Sequence, residues 1–184
     1  MKNKLRLSFT LLNYWDSNDL ENMLAYYFKT GETTVRPGME FGKQMDDKNV
    51  KNILDQNKFI VEFGGDKLNQ PVPHLKLEAD YDDKIEVVGE LDAYDQPTIY
   101  EFKTGVSMDS GDYTNSAQLP FYFWLLKKQG LPAERAIIIH YNPQTRITDR
   151  TILWNSNEMF HKFSQIVELK GRMIYDYFEK EGLL

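Results

Sequence analysis

Residues Ala136-Ile137-Ile138-Ile139-His140-Tyr141 form an apolar run without alternation. A strand with one wet face alternates polar and apolar residues, whereas an unbroken β-branched run this short fits a strand buried on both faces. Such a strand belongs in the middle of a sheet that is covered on both sides. The rest of the chain must therefore supply helices to cover it.

The flanking sequence supplies them. Asp16-Ser17-Asn18-Asp19 is rich in helix-capping types, and Leu20, Met23, Leu24 and Tyr27 continue a helix ending near Gly31. Pro37-Gly38 marks a turn, and a second helix is predicted over 40–55 with Phe41, Met45, Val50, Ile53 and Leu54 as its apolar positions. The period then changes. Leu5 to Thr10 reads as a short strand or a lead-in segment, Phe59 to Phe63 as a strand, and His74 to Ala79 alternates. Tyr81 to Lys84 resembles a hairpin turn between that segment and two further strands, Ile85 to Tyr94 and Thr98 to Lys103. Thr114 to Gln129 reads as a helix capped by Gly130, Thr148 to Trp154 alternates weakly, and Asn155 or Ser156 caps a last helix through Tyr177. The order predicts one mixed α/β domain over residues 1–184, with helices on both sides of a central sheet.

Composition narrows the chemistry. There is no cysteine, which rules out disulfides, thiolate zinc sites and cysteine-ligated iron–sulfur clusters. Three histidines make a His-rich metal site a poor fit. The net charge of −6 argues against a broad basic face that coats nucleic acid, but it leaves room for a local basic groove around an acidic metal site. No apolar run reaches the roughly 20 residues of a membrane span, and none follows the basic start Met1 to Arg6. The expectation is a cytoplasmic protein with no membrane association.

The chemistry concentrates between Gly89 and Gly105. Alternate residues of a strand share a face, so Glu101 and Lys103 point one way and Tyr100 and Phe102 the other. Asp92 faces opposite to Leu91, Val87 and Ile85. If the two strands form a hairpin across Asp95-Gln96-Pro97, Asp92 and Glu101 meet at one point. Two carboxylates there suit Mg²⁺ or Mn²⁺, which take oxygen ligands. Such a cation polarises a phosphoryl oxygen and acidifies water, and Lys103 beside it can orient the attacking hydroxide or offset developing charge. Taken alone, Glu-x-Lys on a strand is commonly a solvated face and Asp92 a turn residue.

The following helix adds Gln118 and Tyr122, four residues apart and so on one face. Gln118 is a poor core residue and can hydrogen-bond a phosphate or metal-bound water. Tyr122, among Phe121, Phe123, Trp124 and Leu125, fits either a core position or a site contact. Lys127, Lys128, Arg146 and Arg150 read as surface cations, Trp15, Trp124 and Trp154 as core, and His140 as a packing residue. The Asp109-Ser110-Gly111-Asp112 stretch reads as a loop beside the site.

The ordered set Gly-x-x-Asp, Glu-x-Lys-Thr-Gly and Gln-x-x-x-Tyr resembles the RecB-like branch of the PD-(D/E)XK nuclease superfamily, including its CRISPR-associated exonucleases. The segment Leu7 to Tyr14 is similar to the Ser-rich stretch before that branch's first helix. The resemblance covers about Leu7 to His140. It implies a restriction-endonuclease-like αβββαβ core, with a mixed central sheet flanked by helices. It also implies Asp92, Glu101 and the Phe102 carbonyl as metal ligands, Lys103 as the catalytic lysine, and Gln118 and Tyr122 as the motif that follows. Two features depart from the pattern. Where the branch closes a Gly-x-x-x-His motif, Gly42 leads to Asp46, which can still ligate Mg²⁺ or Mn²⁺, with Glu40 as the fallback. The four-cysteine iron–sulfur staple of many relatives cannot form.

The expected function is a Mg²⁺- or Mn²⁺-dependent DNA nuclease, an exonuclease or single-strand nuclease, working alone or with a helicase or recombination partner. Repair, recombination, phage and CRISPR-type DNA processing are all open settings. The competing expectation is a nuclease fold kept only to bind nucleic acid or protein.

Overall fold

The computed structural model describes residues 4–29, 71–105, 116–142, 144–146 and 148–184. The anticipated turn at Pro37-Gly38, the helix over 40–55 that carries Glu40 and Asp46, the strand over 59–63 and the loop Asp109–Asp112 lie outside those residues.

The described elements are β1 (Leu5–Leu7), α1 (Phe9–Asp16), α2 (Leu20–Phe28), β2 (Val72–Asp80), β3 (Ile85–Asp95), β4 (Thr98–Thr104), α3 (Gln118–Lys128), β5 (Arg135–Tyr141), β6 (Thr148–Trp154), α4 (Asn157–Ile166) and α5 (Arg172–Lys180). A single π-helical turn, Val167–Gly171, joins α4 to α5. The result is a mixed sheet flanked by helices.

One reading changes at the start of the chain. The strand stops at Leu7, and Phe9 begins a helix, because the Ser8 hydroxyl accepts the Leu11 N–H at 3.1 Å. A serine in this N-cap position satisfies a donor that the first turn otherwise leaves unpaired. Asp19 caps α2 in the same way through the Asn22 N–H, and Lys29 ends that helix in the left-handed region at φ 53. The helix expected from Thr114 begins at Gln118, whose N–H is taken by the Ser116 hydroxyl. Gly130, at φ 69, follows its last turn as anticipated.

The central run behaves as its composition requires. In β5, Ala136 and Ile138 enter the larger of two apolar clusters, and Ile137 and Ile139 enter the smaller one. Both faces of β5 are therefore buried. Its neighbours are β4, parallel, and β6, antiparallel. Being the last strand in the sheet order, β6 leaves Trp154 61% exposed. Trp154 is thus a surface residue beneath the Arg135 guanidinium, not the core residue expected of it. Trp124 is buried and stacks on Phe163.

The feature that shapes the site is a fork in the sheet. β2 pairs antiparallel with β3 along one edge, from Asp80↔Glu86 to Val72↔Tyr94. The other edge of β3 is shared. β1 occupies it in parallel at Ile85 to Val87, and β4 occupies it antiparallel at Ala93 to Asp95. Between them, Val88 to Asp92 has no strand partner on that edge among the described residues. α3 packs across this stretch at Gly89. A Cβ on Gly89 would stand 3.0 Å from Leu125 Cδ1 and 3.1 Å from Tyr122 Cε1. Only glycine lets the helix sit that close without displacing those side chains.

Candidate active site

The β3–β4 hairpin brings Asp92 to the base of the fork. The ladder runs Asp95↔Thr98, Tyr94↔Ile99 and Ala93↔Tyr100, then stops. Beyond it, the Phe102 N–H donates to Asp92 Oδ2 at 2.8 Å. A carboxylate thus replaces the carbonyl that a continued ladder would have offered. Alternation also slips here. Leu91 and Tyr94 both enter the larger cluster and Ala93 the smaller one, so the strand changes face between Leu91 and Ala93. His74, opposite the slip on β2, takes φ 50. Simple parity along β3 foresaw that Asp92 and Glu101 converge, but not the irregularity that accompanies it.

Glu101 is 1% exposed. Its Oε2 accepts from Lys103 Nζ at 3.2 Å and from Gln118 Nε2 at 2.9 Å. Its Oε1 is buried with no hydrogen-bond partner among the described residues. Burial pushes the Glu101 carboxyl up to about 8; the Lys103 ammonium opposes that rise and the nearby Asp92 adds to it. A dry carboxylate next to another acid is costly unless a cation shares the site.

α3 completes the arrangement. Gln118 Nε2 also donates to the Tyr122 hydroxyl at 2.9 Å, and that hydroxyl donates to the Glu90 carbonyl at 2.8 Å. Tyr122 is therefore both core and site. Its ring packs at Gly89, and its hydroxyl fixes Gln118 against Glu101. Burial raises the Tyr122 pKa well above its ordinary value, with the Glu101 charge adding to the effect, so the hydroxyl stays a donor. The Glu90 carbonyl was not foreseen. It can accept because the open edge of β3 leaves it free of a strand, and the sequence-level clue was Gly89 immediately before it.

The residues fit an oxygen-ligated divalent cation. Asp92 and Glu101 converge, one buried oxygen of Glu101 has no partner, and the chemistry is that of hard carboxylate donors. Among the described residues no three His, Cys, Asp or Glu side chains cluster into a metal site. A third ligand would have to be main chain, such as the Phe102 carbonyl, or a residue outside the described set, where Asp46 lies. His140, expected to be a packing residue, is 1% exposed; among the described residues its two ring nitrogens have no hydrogen-bond partner, and burial lowers its pKa. Lys127 and Lys128 lie over the rings of Phe160 and Trp124. Among the described residues, no helix is long and apolar enough to cross a membrane.

No family model and no curated protein matches the sequence. Solved structures do match the fold. A phage-related exonuclease from Haemophilus somnus 129PT superposes with a TM-score of 0.59 at 14% identity, over 97% of this chain and 97% of that one. An alkaline exonuclease, LHK-Exo from Laribacter hongkongensis, gives 0.50 at 11% identity, over 96% and 93%. The structure of LHK-Exo in complex with dAMP gives 0.52 at 9% identity over the same shares. At these identities the likeness is one of architecture: this chain has the mixed α/β fold seen in those exonuclease structures.

Proposed function

We propose that the protein is a divalent-cation-dependent nuclease that hydrolyses phosphodiester bonds of DNA, acting as an exonuclease or single-strand nuclease. One observation carries this reading: Glu101 is held in a dry pocket at the sheet fork, beside Asp92, with Lys103 and Gln118 both on one of its oxygens. Nothing in a purely structural role requires that combination. The exonuclease neighbours of similar fold support it.

In this reading Asp92, Glu101 and the Phe102 carbonyl hold Mg²⁺ or Mn²⁺, with Asp46 as a further ligand. When bound, the cation supplies Lewis acidity toward a phosphoryl oxygen and a source of hydroxide near neutral pH. Lys103 brings a positive charge to the place where the phosphoryl group gains negative charge. Gln118, with both amide hydrogens engaged by Glu101 and the Tyr122 hydroxyl, orients Glu101, and Tyr122 holds Gln118 in place. The Gln-x-x-x-Tyr pattern supports placing the chain near the RecB-like branch of such nucleases. The proposal leaves the enzyme working alone or beside a helicase or recombination partner.

The test is degradation of linear single- and double-stranded DNA with Mg²⁺, Mn²⁺ or EDTA. Wild type should cleave only with a cation, and Lys103→Ala should lower kcat by about 100-fold or more, the scale of losing a transition-state charge partner. Cleavage that survives Lys103→Ala undiminished would refute the assignment.

A further inference from the structure

A groove of about 1020 Å³ opens from the site between α2 and the β2–β3 sheet. Gln118 and Tyr122 line its inner end, and Arg6, Lys29, Lys76 and Tyr26 line its walls. We propose that this groove holds a single unpaired polynucleotide strand and feeds it to Glu101 and Lys103. The proposal rests on the nuclease reading and adds the strand's path and the residues that grip it.

Three features point to that ligand. First, the volume is at or above the upper end of the roughly 300–1,000 Å³ typical of small-molecule pockets, which suits an extended ligand. Second, charge is distributed against the trend of the chain. The whole sequence is −6, yet among the described residues the groove's lining carries three cations, Arg6, Lys29 and Lys76, against two acids, Glu78 and Glu90. Among the described residues its ion pairs are mutual: Arg6 meets Glu78 at 3.0 Å and Glu86 at 3.3 Å, and Glu90 lies 3.2 Å from His74 and 3.8 Å from Lys76. Lys29 stands at the exposed end of α2. The described lining is thus weakly positive where the chain as a whole is acidic, with Lys29 lying outside those ion pairs, and a phosphate backbone can also compete for Arg6 and Lys76. Third, Tyr26 is 38% exposed and anchored, since its hydroxyl and the Ser8 hydroxyl are 3.2 Å apart and its ring packs on Tyr14. A fixed, partly bare aromatic ring offers a stacking platform to an unpaired base, whereas a base inside a duplex has no free face to give it.

The continuity with the site matters as much as the lining. Tyr122 and Gln118 belong both to the groove wall and to the network on Glu101. A strand lying along Lys29, Tyr26 and Lys76 would therefore reach the reacting groups without crossing another element described here.

The experiment is fluorescence anisotropy of an oligothymidylate, an oligouridylate and a blunt DNA duplex of equal length, measured in Ca²⁺ over a salt series. Hydrolysis of the small diester bis(p-nitrophenyl) phosphate in Mn²⁺ runs in parallel. Wild type should bind the unpaired oligomers more tightly than the duplex. Lys29→Gln with Lys76→Gln should flatten the log–log salt dependence for single strands by about 1.4, or about 0.7 per cation removed. Tyr26→Ala should weaken single-strand binding by at least about fivefold, the lower end of base stacking on an aromatic ring, and Tyr26→Phe should restore it. Turnover of the small diester should be unchanged in all of them, because none of these residues is in the catalytic set. Small-diester turnover with unaltered single-strand binding in the variants would overturn the groove alone. No turnover and no oligonucleotide binding by wild type would overturn the nuclease reading and the groove with it.

Discussion

Replacing Glu101 with Gln removes a carboxyl group that the fold holds at 1% exposure and keeps its shape. In the cation-free protein that carboxyl is pushed from an ordinary 4.5 up to about 8. Between those two values the unfolded chain has released a proton that the folded chain retains. The folded state binds more protons, so stability falls as pH rises through the interval and levels off above about 8. Each pH unit there costs about 1.4 kcal/mol. Between pH 4.5 and pH 7 the cation-free wild type should therefore lose on the order of 3 kcal/mol. Glu101→Gln has no proton to lose and should not show this component. Urea unfolding in EDTA at several pH values measures both slopes. Adding Mn²⁺ at neutral pH should return stability to the wild type by RT ln(1 + [L]/Kd), about 2.7 kcal/mol at 100 times Kd, and should do less for the variant. Parallel pH slopes for the two proteins would refute the claim that Glu101 is a buried, cation-seeking acid.

Other outcomes follow from the same contacts. Gly89→Ala places a methyl 3.0 Å from Leu125 Cδ1 and 3.1 Å from Tyr122 Cε1; it should cost about 1–3 kcal/mol by overpacking, read as a lower urea midpoint, and reduce cleavage by shifting Tyr122. Tyr122→Phe removes the donor to the Glu90 carbonyl; it should cost about 1 kcal/mol, the net scale of one hydrogen bond, read as a lower urea midpoint, and lower kcat through the loosened Gln118. Gln118→Leu strips one of the donors from Glu101 Oε2 and should lower kcat by about tenfold or more, assayed on linear DNA, with the melting temperature little changed.

The readable parts of this molecule were those written in local pattern. The β3–β4 hairpin follows from alternation on either side of Asp95-Gln96-Pro97, and β5 from its unbroken apolar run. Gln118 stood out because a helix otherwise filled with Leu119, Phe121, Phe123 and Leu125 does not ask for a polar residue. Helix α1 escaped notice because its eight residues follow a strand so closely that Leu7 to Tyr14 reads as one segment; the Ser8 cap was the available signal. The fork escaped for a different reason. It depends on β1, at the start of the chain, and β4 sharing one edge of β3, and no local pattern encodes that pairing. The bond from the Phe102 N–H to Asp92, the open Glu90 carbonyl and the exposure of Trp154 on an edge strand all follow from sheet order.

The most direct test of the proposed site is a crystal grown with Mn²⁺ and examined by anomalous scattering. The geometry predicts a Mn²⁺ ion bound by Asp92 and Glu101, with the Phe102 carbonyl in its coordination sphere, and the same crystal would show whether Asp46 joins them. Mn²⁺ absent from that position, or bound only elsewhere on the protein with DNA present, would contradict it.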